Sequence, residues 1–317
     1  MVKSLRNLGA VLLADHPTFW KRPYSHYNFP VHHQFQFPAS FNRNFKTTLT
    51  MSLNAVNQLQ KITVLNHRSE KLVGLLHDTG SKDVVIVCHG FVGGKEHKLA
   101  VDLCVALEKE GISAYRFDFS GNGESDGAWA YGNYMKEAED ICAVVKHLNG
   151  ANRIVTATVG HSKGGDVVLL YASKYHDIHT VVNLSGRYDL KKGIAERLGE
   201  DFMERIKKNG YIDVKCKKTG EVLYRVTEEN LMDRLSTDMH EASLRINEDC
   251  RVLTVHGSAD EIIPIEDAYE FSKIIPNHKL HIIEGANHSF TEHQPELHQV
   301  VIEFIKSFMQ QDKESAG

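Results

Sequence analysis

Several patterns are missing from this chain of 317 residues, and each absence removes a class of function. Its five cysteines, Cys88, Cys104, Cys142, Cys216 and Cys250, are odd in number and widely spaced, with no CxxC pair. That argues against a disulfide framework and for buried thiols in a reducing compartment. No apolar run approaches the roughly 20 residues that span a bilayer, so no integral membrane segment is expected. The formal net charge of −4, without a basic stripe interleaved with aromatics, gives no reason to expect nucleic acid. There is no HExxH and no ligand cluster at zinc-like spacing, so no metal is expected. The glycines of Gly121-Asn122-Gly123 are followed by Glu124-Ser125-Asp126, which is not a dinucleotide fingerprint, and no cofactor is expected.

One region differs in composition from the rest. Residues 1–50 hold six Lys or Arg against the single acid Asp15. A basic, acid-poor segment before Met51 resembles an organellar transit peptide, pointing to the chloroplast or another organelle. A disordered or loosely docked arm in a cytoplasmic protein is the other reading. Residues 1–55 are therefore set apart as a leader.

From residue 56 the pattern alternates. Lys61-Ile62-Thr63-Val64-Leu65-Asn66 and Lys71-Leu72-Val73-Gly74-Leu75-Leu76 predict a hairpin. Strands are expected over 83–88, which is continuously apolar from Val84, and over 112–117, 154–159, 180–184, 251–256 and 278–283. Helical periodicity separates them, as in Leu99, Leu103 and Leu107 at i, i+4, i+8. Strands buried on both faces belong in a parallel sheet covered by helices, which predicts an α/β fold. The alternation breaks over 187–250, too long a gap for a simple loop. Within it 211–216 and 221–226 flank Lys217-Lys218-Thr219-Gly220 as a hairpin, and 190–208 and 228–235 read as helical. An inserted α+β cap is expected there, between core segments 56–186 and 251–312, with a polar tail over 313–317.

The chemistry gathers at strand ends. Gly160-His161-Ser162-Lys163-Gly164 lies where a strand becomes a helix, the context of a nucleophile elbow, with glycines on both sides because a larger side chain would collide there. A serine hydroxyl needs a base to take its proton and donors aimed at the developing oxyanion. The amide of Lys163 is one such donor. Asp260 and His288 lie just past the two later strands, so the order Ser162, Asp260, His288 fits three loops delivered to one sheet edge. In that arrangement Ser162 attacks, His288 carries the proton and Asp260 orients the imidazole. Glu261 and Asp267 are the rival acids. Asp189 and Tyr188 open the insertion, where contact with a substrate competes with ordinary packing.

These residues carry a resemblance. The chain resembles the α/β-hydrolase superfamily, and within it the serine-aminopeptidase-like and monoacylglycerol-lipase-like group that includes cinnamoyl (feruloyl) esterases. The likeness covers residues 61–308. His89-Gly90-Phe91 is similar to the family's HGF oxyanion motif, which implies the Phe91 amide as second donor. Residues 118–125 resemble its DxxGxGxS stretch, and His256-Gly257-Ser258-Ala259-Asp260 its HGxxD acid loop. The resemblance implies a mostly parallel sheet flanked by helices and a cofactor-free serine hydrolase acting on a small-molecule carboxylic ester. Amide or thioester hydrolysis by the same triad stays open, as does a hydrolase-fold ligand sensor with little turnover. Two departures stand out: Lys163 occupies an elbow position where many relatives have a smaller or apolar residue, and the first fifty residues have no counterpart. The pattern does not fix the oligomeric state.

Overall fold

The computed structural model describes residues 58–315. The leader expected over 1–55 lies outside them, as do residues 316–317. In chain order the elements are β1 (Gln58–Leu65), β2 (Lys71–Asp78), β3 (Asp83–Cys88), α1 (Lys98–Lys109), β4 (Ser113–Phe117), α2 (Tyr134–Gly150), β5 (Ile154–His161), α3 (Lys163–Tyr175) and β6 (Thr180–Leu184). Then come α4 (Ala195–Leu198), α5 (Phe202–Asn209), β7 (Tyr211–Lys215), β8 (Val222–Thr227), α6 (Glu228–Ser236) and α7 (Met239–Leu244). The chain returns to the sheet with β9 (Arg251–Gly257), α8 (Ile265–Ile274), β10 (His278–Ile283) and α9 (Gln294–Ser315).

The main sheet has the order β1-β2-β4-β3-β5-β6-β9-β10. From β4 to β10 every pairing is parallel, while β1 and β2 add an antiparallel edge. This is the α/β-hydrolase arrangement. Strand β3 shows why the sequence chooses it. Its side chains alternate between faces: Val84, Ile86 and Cys88 join one core, Val85 and Val87 the other. All five are essentially inaccessible to solvent, so only a strand with helices above and below can satisfy this segment. Buried apolar residues of α2, α3, α7 and α8 fill the first face, and those of α1 and α9 the second. Each such buried side chain contributes about 1.5–3 kcal/mol relative to exposure.

Residues 187–250 form α4 to α7 and the separate antiparallel pair β7-β8. A small core of their own, Ile194, Leu198, Ile206, Ile212, Val226 and Leu231, packs with Tyr131. The helix expected over 190–208 is in fact two, interrupted over residues 199–201, and α7 had no clear periodic signal. At the other end α9 continues to Ser315, past residue 312, where the core was expected to stop.

The glycine-rich stretch after β4 is a structural hub. Asp118 is buried and accepts hydrogen bonds from the Lys95 amide at 2.6 Å, Lys95 Nζ at 2.6 Å and the Glu124 amide at 2.9 Å. It ties the β3 loop to the β4 loop.

Candidate active site

Strand β5 ends at His161 and α3 begins at Lys163, leaving Ser162 alone on the turn with φ 56° and ψ −121°. A non-glycine residue held there costs on the order of 1–3 kcal/mol, which the surrounding packing must impose. The packing is tight. A Cβ added at Gly160 would lie 2.0 Å from the Gly164 carbonyl oxygen, and one at Gly164 would lie 2.5 Å from the His89 carbonyl oxygen. These contacts are the collisions that the motif's glycines avoid.

His288 comes from the loop between β10 and α9, and Asp260 from the loop after β9. The structure brings both to Ser162. His288 Nε2 lies 3.0 Å from Ser162 Oγ, and His288 Nδ1 lies 2.7 Å from Asp260 Oδ2. A carboxylate opposite Nδ1 places the ring proton there, so the Nε2 lone pair faces the hydroxyl. Asp260 Oδ1 accepts from the amides of Ile262 at 2.8 Å and Ile263 at 2.9 Å. Burial by itself would raise the Asp260 pKa, but hydrogen bonds from His256 and His288 outweigh it and hold this carboxyl well below the usual range. The rival acids are occupied elsewhere. Glu261 accepts from the His288 backbone amide at 3.3 Å, and Asp267 accepts from the Tyr188 amide at 3.0 Å. The Tyr188 hydroxyl is hydrogen-bonded to His240, and Asp189 accepts from the Lys191 amide.

Phe91 and Lys163, whose amides the sequence singles out as donors, line one cavity with Ser162. Lys163 opens α3, so its amide is among the four that a helix leaves without an internal acceptor. Phe91 follows Gly90, where an added Cβ would stand 3.1 Å from Ser162 Cβ, so this loop packs directly on the elbow. The Phe91 ring is fixed edge-to-face against Trp129, Tyr131 and Tyr224, and the Arg197 guanidinium lies over it, 4.6 Å from its centroid. His89 holds the same loop. Its Nδ1 contacts the Gly90 carbonyl at 2.9 Å while its Nε2 accepts from the Phe119 amide at 3.1 Å. Burial drives its pKa down to about 4, matching the neutral tautomer those partners require.

Several contributors escaped the sequence reading. His161 donates from Nε2 to the His288 carbonyl at 2.9 Å and sets its ring 4.9 Å from that of His288. Burial, reinforced by the nearby charge of His288, depresses its pKa to about 3, so it serves as a neutral anchor. His256 reaches Asp260 Oδ2 at 3.3 Å and the Ile263 carbonyl at 3.0 Å. The available signal was position: one residue precedes Ser162 directly, the other precedes Asp260 by one helical turn's spacing.

The sequence leaves two places open to the Lys163 side chain, lending its charge to the site or lying along the surface; the second does not hold, because the side chain is buried and paired with Glu137 of α2 at 2.6 Å. Its ammonium also sits 5.0 Å from the Tyr134 ring centroid. Burial raises the Glu137 pKa to about 7 against the opposing pull of Lys163. Among the described residues no three His, Cys, Asp or Glu side chains converge as a metal-binding group, and no helix is long and apolar enough to cross a membrane.

The family model for serine aminopeptidase, S33, matches residues 79–295, which include every strand from β3 to β10 and all three residues of the hydrogen-bonded chain. The chain belongs to the serine aminopeptidase S33 family of α/β hydrolases. This S33 chain is 24% identical over 267 residues to the AB hydrolase superfamily protein YisY of Bacillus subtilis, a match covering 75% of this chain and 97% of YisY. It is 29% identical over 113 residues to a monoacylglycerol lipase of Mycolicibacterium smegmatis, covering 34% of this chain and 39% of the lipase. Among solved structures it is similar to Est1E from Butyrivibrio proteoclasticus with ferulic acid bound, at TM-score 0.67 and 25% identity, covering 78% of this chain and 98% of Est1E. The Pyrococcus furiosus esterase Pf2001 shares the fold at TM-score 0.63 and 22% identity, with 80% of this chain and 91% of the esterase covered. The S33 chain is thus a hydrolase of the esterase and lipase type.

Proposed function

We propose that the protein is a serine hydrolase cleaving a carboxylic ester through an acyl-enzyme. One observation carries the reading: the unbroken path from Asp260 Oδ2 to His288 Nδ1 at 2.7 Å and from His288 Nε2 to Ser162 Oγ at 3.0 Å.

The steps follow from that path. Ser162 Oγ attacks the acyl carbonyl as His288 Nε2 takes its proton. The oxyanion formed accepts hydrogen bonds from the amides of Phe91 and Lys163; each such donor lowers the barrier by about 2.7–4 kcal/mol. Collapse breaks the ester bond, and the imidazolium returns the proton to the departing alcohol. A water molecule then attacks the acyl-serine with His288 as base, and the second collapse releases the acid and restores Ser162. Asp260 keeps the imidazole in the tautomer that presents Nε2 and offsets its charge. Its depressed pKa supports this role, because the carboxylate stays ionised while the ring is charged.

Fluorophosphonate labelling tests the reading together with multiple turnover of p-nitrophenyl esters. The expected result is one adduct on Ser162, absent in Ser162→Ala, and sustained release of p-nitrophenol. Folded wild-type protein that is neither labelled nor active on a full acyl-chain panel sinks the proposal.

A further inference from the structure

Two guanidiniums beside Ser162 are buried without an acidic ion-pair partner. Arg234 of α6 is 7% exposed and Arg187, just past β6, is 9% exposed. Arg234 donates from Nε to the Leu190 carbonyl at 3.0 Å and from Nη1 to the Tyr134 hydroxyl at 2.7 Å. Arg187 donates from Nη2 to the Ile262 carbonyl at 2.6 Å. Among the described residues neither has a carboxylate oxygen within 4.0 Å. Removing a cation from water without a counter-charge is unfavourable, so such residues persist where an anion comes to meet them.

Both line a cavity of about 40 Å³ at Ser162, together with Lys163 and Arg197. Lys163 is already paired with Glu137 at 2.6 Å. The one carboxyl lining the space, Asp166, accepts from the Arg187 backbone amide at 2.7 Å. Burial pushes Asp166 well above the usual carboxylate range, with Arg187 and Arg234 opposing. At roughly the volume of one water molecule, the space suits a compact polar group better than an aromatic ring.

Arg187 and Arg197 also line an adjoining groove of about 710 Å³, shared through Gly193 and Ile262. Gly193 has φ +75°, and a Cβ there would meet Arg187 Nη2 at 3.0 Å, so glycine leaves this face of the guanidinium uncovered. The groove carries Glu196 and Glu261 as well, but Glu261 is engaged by the His288 amide.

We propose that the substrate is an ester carrying a carboxylate or phosphate a few bonds from the scissile carbonyl, with Arg187 and Arg197 binding that anion. The proposal rests on the ester-hydrolase reading above. A guanidinium presents paired donors that fit either anion, and the cost of leaving the buried Arg187 unpaired becomes discrimination against neutral esters.

Two matched pairs of esters test this after Ser162 has been shown to react with a fluorophosphonate. Mono-p-nitrophenyl succinate against p-nitrophenyl butyrate reports an acyl-side carboxylate. Butyryl-glycerol phosphate against monobutyrylglycerol reports an alcohol-side phosphate. In at least one pair the anionic member is expected to have a kcat/KM higher by about tenfold or more, the scale of one charge-assisted contact. That ratio should fall by about tenfold in Arg187→Gln and in Arg197→Gln; the second variant alters an exposed side chain and keeps the test open if the first fails to fold. Protein that reacts at Ser162 yet uses the neutral member equally well in both pairs overturns the anion proposal and leaves the esterase reading standing. A preference unchanged in both variants overturns the assignment to these arginines. No labelling and no turnover of any of the four esters defeats the esterase reading, and the anion proposal falls with it.

Discussion

The sheet rim and the inserted segment both border Ser162, but they are held in different ways. At the rim, position comes from the backbone: β5, β9 and β10 run parallel, and each delivers one residue of the chain from Asp260 to Ser162 at its carboxyl end. In the insertion, position comes from long side chains: Arg234 reaches Leu190 and Tyr134, and Arg197 lies over Phe91. A rim built on strands tolerates little change in the atoms it presents. The insertion's side chains can change at smaller cost while the frame stays.

The sharpest test of that contrast is at the rim itself. Ser162→Ala should lower kcat/KM by about 10⁴–10⁶-fold, and Asp260→Asn by about 10⁴-fold through the wrong imidazole tautomer. Both variants should keep a cooperative thermal transition, measured by circular dichroism. Comparable activity in Ser162→Ala would break the comparison outright.

Gly164→Ala probes the frame rather than the chemistry. An added Cβ 2.5 Å from a carbonyl oxygen of β3's following loop cannot be absorbed by a side-chain rotation. A loss of about 3 kcal/mol or more is expected in chemical denaturation, with soluble expression falling accordingly.

Lys163→Ala separates the two modes at a single residue, because its amide belongs to the rim while its ammonium is an interior charge. Breaking a buried pair typically costs about 3–5 kcal/mol, so the substitution should destabilise markedly; a mild effect, the expectation for a surface lysine, is not what the burial supports. Glu137 gives this a pH signature. Its folded pKa of about 7 lies above the ordinary glutamate value of 4.5, so the folded state binds more protons than the unfolded chain between those values. Stability from this group is complete below pH 4.5 and is lost as pH rises through 7. Glu137→Gln should flatten that part of the stability profile, and an unchanged slope would count against it.

The smallest effect lies in the insertion. Thr227 caps α6 by accepting from the Asn230 amide at 3.2 Å. Thr227→Ala should cost about 1 kcal/mol in urea melts while kcat changes by less than about twofold. A large loss of kcat would mean that the insertion and rim are less separable than their construction suggests.

The same division explains what was legible in the sequence. Strand β3 announced its two-sided burial because Val84 to Cys88 are apolar without interruption, and the elbow announced itself through Gly160 and Gly164 at a strand-to-helix junction. Both signals are local, with each residue's neighbours along the chain carrying the constraint. Glu137 and Lys163 are 26 residues apart on different helices, and nothing near either one names the other. Arg187 and Arg234 were equally silent, since an arginine bound by carbonyls leaves no complementary acid to notice. The helix expected through 190–208 failed for a related reason: charged periodicity continued across Gly199, but the apolar positions Ile194, Leu198 and Ile206 serve a core made from several short pieces.

The Phe91 ring belongs to both territories at once. Its backbone lies on the rim loop, while its aromatic faces and edges are gripped by Tyr224 and Arg197 of the insertion. A shift in the lid must therefore pull on the amide that would steady the reacting oxygen. Admission of a molecule and readiness to transform it share one lever.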